Sequence, residues 1–473
     1  MSSLSSTKLH VSMFPWFAFG HFIPYLQLSN ELAQRGHRVS FLLPKEAQAK
    51  LQHLNHYPNL INFYPLLVPH VDGLPLGAET ASDVPFPLHM HLAIAFDRTQ
   101  NQVETILTTL KPHFIFFDFS HWMPVLAHQL GSKAIHYSMV SAATLALRMV
   151  PAKNIAKHMT NEELIQPPPG YPSLLVLLKH KEFEIATVKI LAEDHNGTGV
   201  PSWYSRITSS MKGGEAIALR TYQEVEGPYC DYLRQQYAKL VLLTGPVLPE
   251  TPATKLDEKW INWLYNFEQG TVVYCAFGSQ NILQKDQFQE LLLGFELCGQ
   301  PFLVALSTPD GCETIEEALP EGFEERVKGR GWVYGGWVPQ TLILEHPSVG
   351  CSVTHCGYGS MWESLLSDCQ IVCVPYLGDQ ILNARLMVEE LKVAVEVERK
   401  DNGWISKESL SEAIISVMDK DTSEVAGIVK HNHAKLKEVI TREGMQERYL
   451  DTFIQSLQGL LDRLGDCMNS TTP

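Results

Sequence analysis

Residues 9–43, LHVSMFPWFAFGHFIPYLQLSNELAQRGHRVSFLL, decide the fold of this chain. Their first apolar run, residues 9–14, predicts a buried strand. A loop over residues 15–21 follows, and a helix opens near Pro24, because proline is favoured in the first turn of a helix. A glycine then stops the helix, and residues 39–43 form the next apolar run. This order of strand, helix and strand predicts a parallel sheet covered by helices.

Short apolar runs continue to alternate with helix-like segments along the rest of the chain. The further strands that this pattern predicts cover residues 114–117, 134–137, 216–219, 272–277, 302–306, 352–354, 371–374 and 393–397. Midway, TGPVLPETPATK at residues 244–255 carries three prolines in a polar setting and predicts a linker. We therefore expect two α/β domains, an amino-terminal one over residues 1–245 and a carboxyl-terminal one over 257–450, joined by a linker over 246–256 and followed by a helix over 451–473.

Length and charge narrow the class of protein. A chain of 473 residues is too long for one ordinary core, which agrees with two domains. The 37 basic and 52 acidic residues give a net charge of −15, so the phosphate backbone of a nucleic acid would be repelled on average. No cationic and apolar leader opens the chain, and no stretch approaches the roughly 18 apolar residues of a membrane span. We therefore expect a cytoplasmic protein without an integral membrane segment.

A second informative stretch, residues 337–380, reads WVPQTLILEHPSVGCSVTHCGYGSMWESLLSDCQIVCVPYLGDQ. Its centre predicts a strand, a turn with two glycines, Gly357 and Gly359, and a helix for which Ser360 is a natural cap. The backbone N–H groups of such a turn point at one spot, and the helix dipole favours an anion there. This geometry predicts a phosphate site.

Side chains near this turn extend the phosphate site toward a nucleotide sugar. His355 can donate to a phosphate, and Ser279, at the end of another predicted strand, adds a second donor. An indole face can stack on a base, an amide can bond its edge, and carboxylates can accept from ribose and sugar hydroxyls. The residues that offer these groups, in chain order, are Trp337, Gln340, Glu363, Asp379 and Gln380.

Residues 337–380 resemble the signature box of plant secondary-metabolite UDP-glycosyltransferases and have the full length of that box. The resemblance implies the GT-B fold, in which two Rossmann-like domains with parallel sheets face each other across a cleft and a terminal helix returns to the first domain. It also implies a UDP-sugar as co-substrate. The donor contacts that we expect are Ser279, Trp337, Val338, Gln340, His355, Gly357, Tyr358, Gly359, Ser360, Glu363, Asp379 and Gln380.

The resemblance gives the box positions their roles. Trp337 is implied to stack on uracil, Glu363 to bind the ribose, and His355 to contact phosphate. Tyr358-Gly359 departs from the more frequent Trp-Asn, and an aromatic followed by glycine resembles the subgroup that adds sugar to sugar on glycosylated natural products. Val338 replaces the usual alanine at a position that works mainly through its backbone.

The catalytic residues are expected in the first domain. Residues 14–24, FPWFAFGHFIP, resemble the first loop of that family, whose histidine is the catalytic base, and that position is His21. A histidine on a loop after the first strand also lies where ligands bind in wound sheets. Asp118 ends an apolar strand, where an unpaired carboxylate would be costly, and it matches the family's partner aspartate. Such a pair would fix the imidazole tautomer and stabilise its cation.

The resemblance implies an inverting transfer that needs no metal. Gln380 goes with UDP-glucose in that family, so we expect glucose to be moved to a hydroxyl of a plant natural product, on the sugar of a flavonoid or anthocyanin glycoside in a 1→2 branch. UDP-xylose, UDP-rhamnose and a terpenoid glycoside are the alternatives. Phe19, Trp122 and Tyr137 are aromatics that could line a flat acceptor pocket. A monomer is expected.

Other classes of function fit the residues less well. Asp419-Lys420-Asp421 matches a metal-holding Asp-x-Asp pair but fits a solvated helix end. Neither Ser279 nor Ser360 lies in the Gly-x-Ser-x-Gly turn of a serine hydrolase. A dinucleotide oxidoreductase needs Gly-x-Gly-x-x-Gly after its first strand, and residues 14–24 hold one glycine. A non-catalytic nucleotide-sugar sensor could lose the base, whereas this chain keeps both His21 and Asp118.

Overall fold

The computed structural model describes residues 8–156, 158–179, 181–192, 200–248, 256–278, 281–419 and 423–469. Within these residues the strands form two sheets, and every pairing of strands in both sheets is parallel. The prediction of two α/β domains with parallel sheets is therefore confirmed.

The first sheet is built from strands in the amino-terminal half. These strands are β1 (His10–Phe14), β2 (Arg38–Pro44), β3 (Ile61–Leu66), β4 (Phe114–Phe117), β5 (Lys133–Ser138), β6 (Ala216–Leu219) and β7 (Leu240–Leu243). The helices that accompany them are α1 (Phe19–Gln34), α2 (Lys45–Leu51), α3 (His89–Asp97), α4 (Gln100–Leu110), α5 (Met123–Gln129), α6 (Ala142–Arg148), α7 (Asn161–Ile165), α8 (Glu182–Ala192), α9 (Trp203–Gly213) and α10 (Gln223–Tyr237).

The second sheet is built from strands in the carboxyl-terminal half. These strands are β8 (Val272–Ala276), β9 (Phe302–Ala305), β10 (Gly331–Tyr334), β11 (Val349–Thr354), β12 (Gln370–Cys373) and β13 (Ala394–Glu396). The helices that accompany them are α11 (Glu258–Leu264), α12 (Lys285–Leu297), α13 (Ile315–Ala318), α14 (Phe323–Arg326), α15 (Gln340–Leu344), α16 (Tyr358–Leu366), α17 (Gln380–Arg385), α18 (Lys407–Met418), α19 (Glu424–Ile440) and α20 (Met445–Asn469).

The order of the strands creates one switch point in each sheet. The first sheet has the order β3-β2-β1-β4-β5-β6-β7, which reverses between β1 and β4. The second has the order β10-β9-β8-β11-β12-β13, which reverses between β8 and β11. Ligands of open α/β sheets bind beyond the carboxyl ends of the strands on either side of such a point. A site is therefore expected in the segments that follow β1, β4, β8 and β11.

The sequence analysis does not predict three of the strands, β3, β7 and β10. All three lie at the edge of a sheet, where part of each strand is exposed or only half-buried. Strand β3 mixes Asn and Pro with its apolar residues, whereas β7 and β10 are largely apolar segments of only four residues. Periodicity alone does not separate such short apolar segments from parts of buried helices.

Two helices begin earlier than the sequence predicts. Helix α1 begins at Phe19, so Pro24 lies inside the helix and His21 lies in its first turn rather than on a loop. Helix α16 begins at Tyr358 with Gly357 as its N-cap, so Ser360 lies in the first turn and is not the cap. In both cases the helix N-terminus moves closer to the end of the preceding strand.

The two domains share apolar packing. Leu450, Phe453 and Leu457 of α20 belong to the core of the first sheet, although this helix ends the chain. A second cluster joins Tyr222 of the first domain to Trp362 of the second, with ring centroids 5.8 Å apart. None of the described helices has the length and apolar character needed to cross a membrane.

Candidate active site

The switch point of the first sheet brings His21 and Asp118 together. Phe14 and Phe117, at the ends of β1 and β4, are register partners, so the segments that carry the two residues leave adjacent strands. The Nδ1 atom of His21 lies 2.6 Å from Oδ2 of Asp118, and Oδ1 of Asp118 accepts a hydrogen bond of 2.8 Å from the backbone N–H of Trp16. The Asp118 side chain is only 6% exposed, whereas His21 is 28% exposed. With Nδ1 held by the carboxylate, Nε2 is the ring nitrogen left for a ligand.

The switch point of the second sheet places His355 between two glycine backbones. Strands β8 and β11 are adjacent; His355 directly follows β11, and Gly278 lies two residues after the end of β8. A Cβ atom built on Gly278, whose φ is +67°, would lie 3.3 Å from Cε1 of His355, and one built on Gly357 would lie 2.5 Å from Nε2. A side chain at position 357 would therefore displace the imidazole, and one at position 278 would crowd it.

The turn itself is held by side chains on both sides. Cys356 adopts a φ of +63°, which is unusual for a residue other than glycine. Its N–H donates to Oγ1 of Thr354 at 3.2 Å, and its carbonyl accepts from Nδ2 of Asn383 at 2.9 Å. Backbone strain of this kind persists where surrounding contacts over-determine it, and it is common at ligand sites. The backbone N–H groups at the start of α16 are thereby presented to an anion.

Burial favours the neutral form of the His355 side chain. Loss of water around the ring lowers the pKa of His355 to about 4, and a hydrogen bond to the backbone of Ala276 opposes this change. At neutral pH the ring therefore carries one N–H group and no charge. Stabilisation of a bound anion at this turn would come from hydrogen bonds and the helix dipole rather than from a cation.

Gln340 and Glu363 form a linked pair beside Ser360. The side-chain amide of Gln340 donates to the Glu363 carboxylate and lies 3.4 Å from Oγ of Ser360, and its carbonyl oxygen accepts from the Tyr274 hydroxyl at 3.3 Å. Desolvation raises the pKa of Glu363 to about 7, while the Gln340 hydrogen bond and the charge of Arg220 oppose the rise. The carboxylate is thus poised between its two protonation states near neutral pH.

Trp337 and Val338 differ in exposure, although they are neighbours in the chain. The indole of Trp337 is 83% exposed, an unusual position for so large an apolar ring, whereas Val338 is buried. The backbone carbonyl of Val338 accepts from the N–H of Gln340 at 2.9 Å and so fixes the start of α15. An exposed aromatic face beside a polar cleft can stack on a planar base.

Asp379 and Gln380 lie at the start of α17, on the wall that faces His21. The side-chain oxygen of Gln380 accepts from the N–H groups of Tyr376 and Leu377 at 2.9 and 3.0 Å, which leaves its amide nitrogen for a ligand. Desolvation raises the pKa of Asp379, while a hydrogen bond from Asn383 and the charges of Arg148 and His21 oppose the rise. Asp379 is therefore close enough to His21 of the first domain for the two groups to interact electrostatically.

The comparisons with known proteins agree with this geometry. Residues 250–435 match the family described as UDP-glucoronosyl and UDP-glucosyl transferase. UDP-glycosyltransferase 79B9 of Arabidopsis thaliana is 54% identical over 457 residues, which cover 96% of this chain and 98% of that protein. The chain belongs to the UDP-glycosyltransferase family. It is therefore a glycosyltransferase, and the family uses UDP-sugar donors.

Two further similarities concern specificity and fold. The anthocyanidin 3-O-glucoside 2'''-O-xylosyltransferase of Arabidopsis thaliana is 51% identical over 462 residues, which cover 96% of this chain and 98% of that protein. The crystal structure of UGT73P12 of Glycyrrhiza uralensis, complexed with glycyrrhetinic acid 3-O-monoglucuronide, is similar with a TM-score of 0.77 at 23% identity. It covers 98% of this chain and 99% of that chain. The predicted GT-B fold is confirmed.

The structure of this glycosyltransferase buries two of the three predicted acceptor contacts. Trp122 is 9% exposed, packs on Phe14 with ring centroids 5.6 Å apart, and donates from Nε1 to Asp97 at 3.1 Å. Tyr137 is 0% exposed and packs on the ring of Tyr25. Both aromatics belong to the core and offer almost no surface to a ligand. Phe19, two residues before His21, is half-buried and keeps an accessible face.

Among the predicted donor contacts, Ser279 lies outside the described residues. Gly359 has open space where a Cβ would project. The Tyr358 hydroxyl lies 2.8 Å from Oε2 of Glu226 and 3.0 Å from the carbonyl of Arg220, so this side chain is directed at the first domain.

Among the described residues, no group of three or more His, Cys, Asp and Glu side chains could hold a metal ion. The Asp-x-Asp match falls largely outside the described residues, with only Asp419 inside them.

Residues that join the domains near the site carry no sequence signal. Glu226 and Arg148 are buried and make polar contacts with the opposite domain. Neither belongs to a motif, and their partners are more than 130 positions away in the chain. The one hint in the sequence is the charged residue that ends the otherwise apolar helix α6.

Proposed function

We propose that this protein is an inverting UDP-sugar-dependent O-glycosyltransferase in which His21 is the general base and Asp118 orients it. The observation that carries the proposal is the pairing of His21 with Asp118 in the first domain, opposite the loop of Asp379 in the second. General-base assistance of this kind contributes about 10² to 10⁴ in rate, and alignment of the two substrates can contribute more.

The proposed reaction is a single displacement. Nε2 of His21 takes the proton of an acceptor hydroxyl while that oxygen forms a bond to the anomeric carbon of the sugar. The bond from that carbon to the β-phosphate oxygen breaks on the opposite face, UDP leaves, and the anomeric configuration inverts. The negative charge that grows on UDP is met by the backbone N–H groups at the start of α16 and by His355. We propose that no metal takes part, because these donors already serve the leaving group.

For the donor sugar we propose glucose. Gln380 supports this choice through the resemblance of the box to enzymes that use UDP-glucose. UDP-xylose is the second candidate, favoured by the relative whose name specifies xylose transfer. Comparing kcat/KM for UDP-glucose, UDP-xylose and UDP-rhamnose with one acceptor tests the choice. A higher kcat/KM with UDP-xylose than with UDP-glucose would reverse it.

For the acceptor we propose the sugar of a flavonoid or anthocyanin glycoside, extended in a 1→2 branch. A relative named for transfer onto an anthocyanidin 3-O-glucoside supports this class, and a terpenoid glycoside is the alternative. A panel of aglycones and their monoglycosides should be scored by UDP release, and the linkage of any product determined by NMR. Turnover confined to aglycones would contradict the proposal. A cytoplasmic location and a monomeric state stay predictions.

The same panel separates the other classes of function. A nucleotide-sugar sensor would bind UDP-sugar without turnover with any acceptor. A hydrolase would release UDP from UDP-sugar equally well without an acceptor. The proposed transferase requires UDP release that depends on the acceptor.

A further inference from the structure

Arg148 reaches from the first domain to the loop that precedes α17. It is the last residue of α6, and its side chain is 2% exposed. Its Nη1 donates to the carbonyl oxygen of Gly378 at 2.6 Å, and its Nη2 donates to Oγ1 of Thr187 in α8 at 3.3 Å. One guanidinium therefore connects two helices of the first domain to the residue directly before Asp379.

The charge of Arg148 interacts with carboxyl groups on both sides of the interface. Burial lowers the pKa of Arg148 to about 10, and the charges of Asp379 and Glu184 oppose this change. The guanidinium therefore stays charged at neutral pH. A buried charge of this kind is costly unless it is paired or hydrogen-bonded, so the guanidinium depends on its bonds to Gly378 and Thr187.

The loop has internal hydrogen bonds that make it a unit. Gly378 adopts a φ of +53°, and the side chain of Gln380 accepts from the N–H groups of Tyr376 and Leu377. Asn383 in α17 donates to Asp379 at 2.9 Å. These bonds hold the loop within the second domain but do not fix its distance from the first domain. The hydrogen bond from Arg148 to Gly378 joins the loop to the first domain.

We propose that Arg148 is a positioning residue, whose guanidinium holds the loop with Asp379 and Gln380 at the distance from His21 that sugar transfer requires. The inference rests on the proposed function, because it takes Asp379 and Gln380 to be the residues that contact the donor sugar. Arg148 itself lies outside the signature box and acts on the sugar through these two residues. The uracil, ribose and diphosphate contacts are formed within the second domain and do not depend on it.

The test compares Arg148→Met and Arg148→Lys with the wild-type chain. For each protein, calorimetry gives the Kd of UDP and of the UDP-sugar in the absence of acceptor, and initial rates give kcat and KM. We expect Arg148→Met to leave the Kd of UDP within about twofold, because its binding groups are untouched. The ratio of the Kd of UDP-sugar to that of UDP should rise, and kcat/KM should fall roughly 10- to 100-fold, as expected for misplaced reacting groups.

Arg148→Lys should recover part of the loss, because an ammonium keeps the charge and one donor for the Gly378 carbonyl. Arg206→Met is the matched control, since Arg206 is equally buried but pairs with Asp97 inside the first domain, at 2.6 and 2.7 Å. It should lower the melting temperature without changing the ratio of the two Kd values. If Arg148→Met fails to fold, the lysine variant is tested by the same two measurements.

The proposal is overturned if Arg148→Met folds and keeps both the wild-type Kd ratio and the wild-type kcat/KM. It is also overturned if the affinities for UDP and UDP-sugar fall in equal proportion, because the effect would then not be confined to the sugar. Failure of the proposed function looks different, since the wild-type chain would then bind UDP-sugar without acceptor-dependent turnover. In that case the Kd ratio alone still decides the role of Arg148.

Discussion

The hydroxyl of Tyr358, in the first turn of α16, lies 2.8 Å from a carboxylate oxygen of Glu226 in α10. The helix that faces the diphosphate in the proposed complex is therefore bonded to the opposite domain. Glu226 is fully buried, and its other oxygen accepts from the N–H of Ala143 at the start of α6 at 3.0 Å. Its backbone φ of −127° and ψ of 21° interrupt the helix, which places the carboxyl group at this junction.

Removal of the Tyr358 hydroxyl should weaken the junction between the domains. Tyr358→Phe leaves a buried carboxyl with one partner fewer, and we expect a loss of about 1 to 3 kcal/mol in the free energy of unfolding. Chemical denaturation measures this loss. Glu226→Gln and the double variant complete a thermodynamic cycle. Additive losses in that cycle would show that the two residues do not interact.

Trp337 should contribute to donor affinity and not to folding. Because its ring is 83% exposed, Trp337→Ala is expected to leave the melting temperature unchanged. Loss of stacking on the base should weaken UDP binding by about 1 to 3 kcal/mol, measured by calorimetry. Trp337→Phe keeps an aromatic face and should recover part of the affinity. An unchanged Kd in the alanine variant would exclude stacking at this position.

Glu363 should make nucleoside binding depend on pH. The pKa of Glu363 is raised from 4.5 to about 7. Without a ligand, the folded protein therefore loses stability as pH rises through that interval and the carboxyl group ionises. Only the ionised carboxylate can accept from two ribose hydroxyls at once. Affinity should therefore increase with pH, by roughly tenfold between pH 6 and pH 8 at most.

Uridine is the appropriate probe for this effect, because it carries no phosphate that titrates in the same range. Calorimetric titrations of uridine at several pH values, with Glu363→Gln as the control, give the dependence. The glutamine variant should show a flat profile. A wild-type profile that is equally flat would contradict the raised pKa as the cause.

Substitution by alanine should weaken UDP binding at one glycine of the turn and leave it unchanged at another. A Cβ on Gly357 would lie 2.5 Å from Nε2 of His355, whereas a Cβ on Gly359 would meet no atom within 4 Å. Gly357→Ala should displace the imidazole and weaken UDP binding by about tenfold, the worth of one hydrogen bond to a charged group. Gly359→Ala should leave UDP binding unchanged and stabilise α16 slightly. Equal affinities in the two variants would remove His355 from the diphosphate site.

The sequence predicts the parts of the fold whose signals are local. Strands β1, β4, β8 and β11 appear as apolar runs because they are buried on both faces, and these strands flank the switch points. All the predicted donor contacts except Ser279 lie within residues 337–380, so their order in the chain is enough to predict them. The edge strand β3 is only partly buried and mixes polar with apolar residues, whereas β7 and β10 are largely apolar but only four residues long.

The sequence does not predict contacts between residues that are far apart in the chain. Arg148 contacts Gly378, and Glu226 contacts Tyr358, only after both domains have folded and docked. Aromatic residues are common both in cores and in ligand pockets. The sequence predicts acceptor contacts for Trp122 and Tyr137, whereas the structure places both side chains in the core. Burial, which composition does not reveal, separates the two cases.

The central claim is that an imidazole of the first domain activates the acceptor while the second domain holds UDP. The most direct test is His21→Ala, with the transfer rate and the Kd of UDP measured on the same preparation, and with Asp118→Asn as a milder companion that keeps a hydrogen bond to the ring. We predict a fall in transfer of about 10² to 10⁴ at an unchanged Kd of UDP. A transfer rate near that of the wild type, or a loss of UDP affinity that accounts for the loss of rate, would contradict the account.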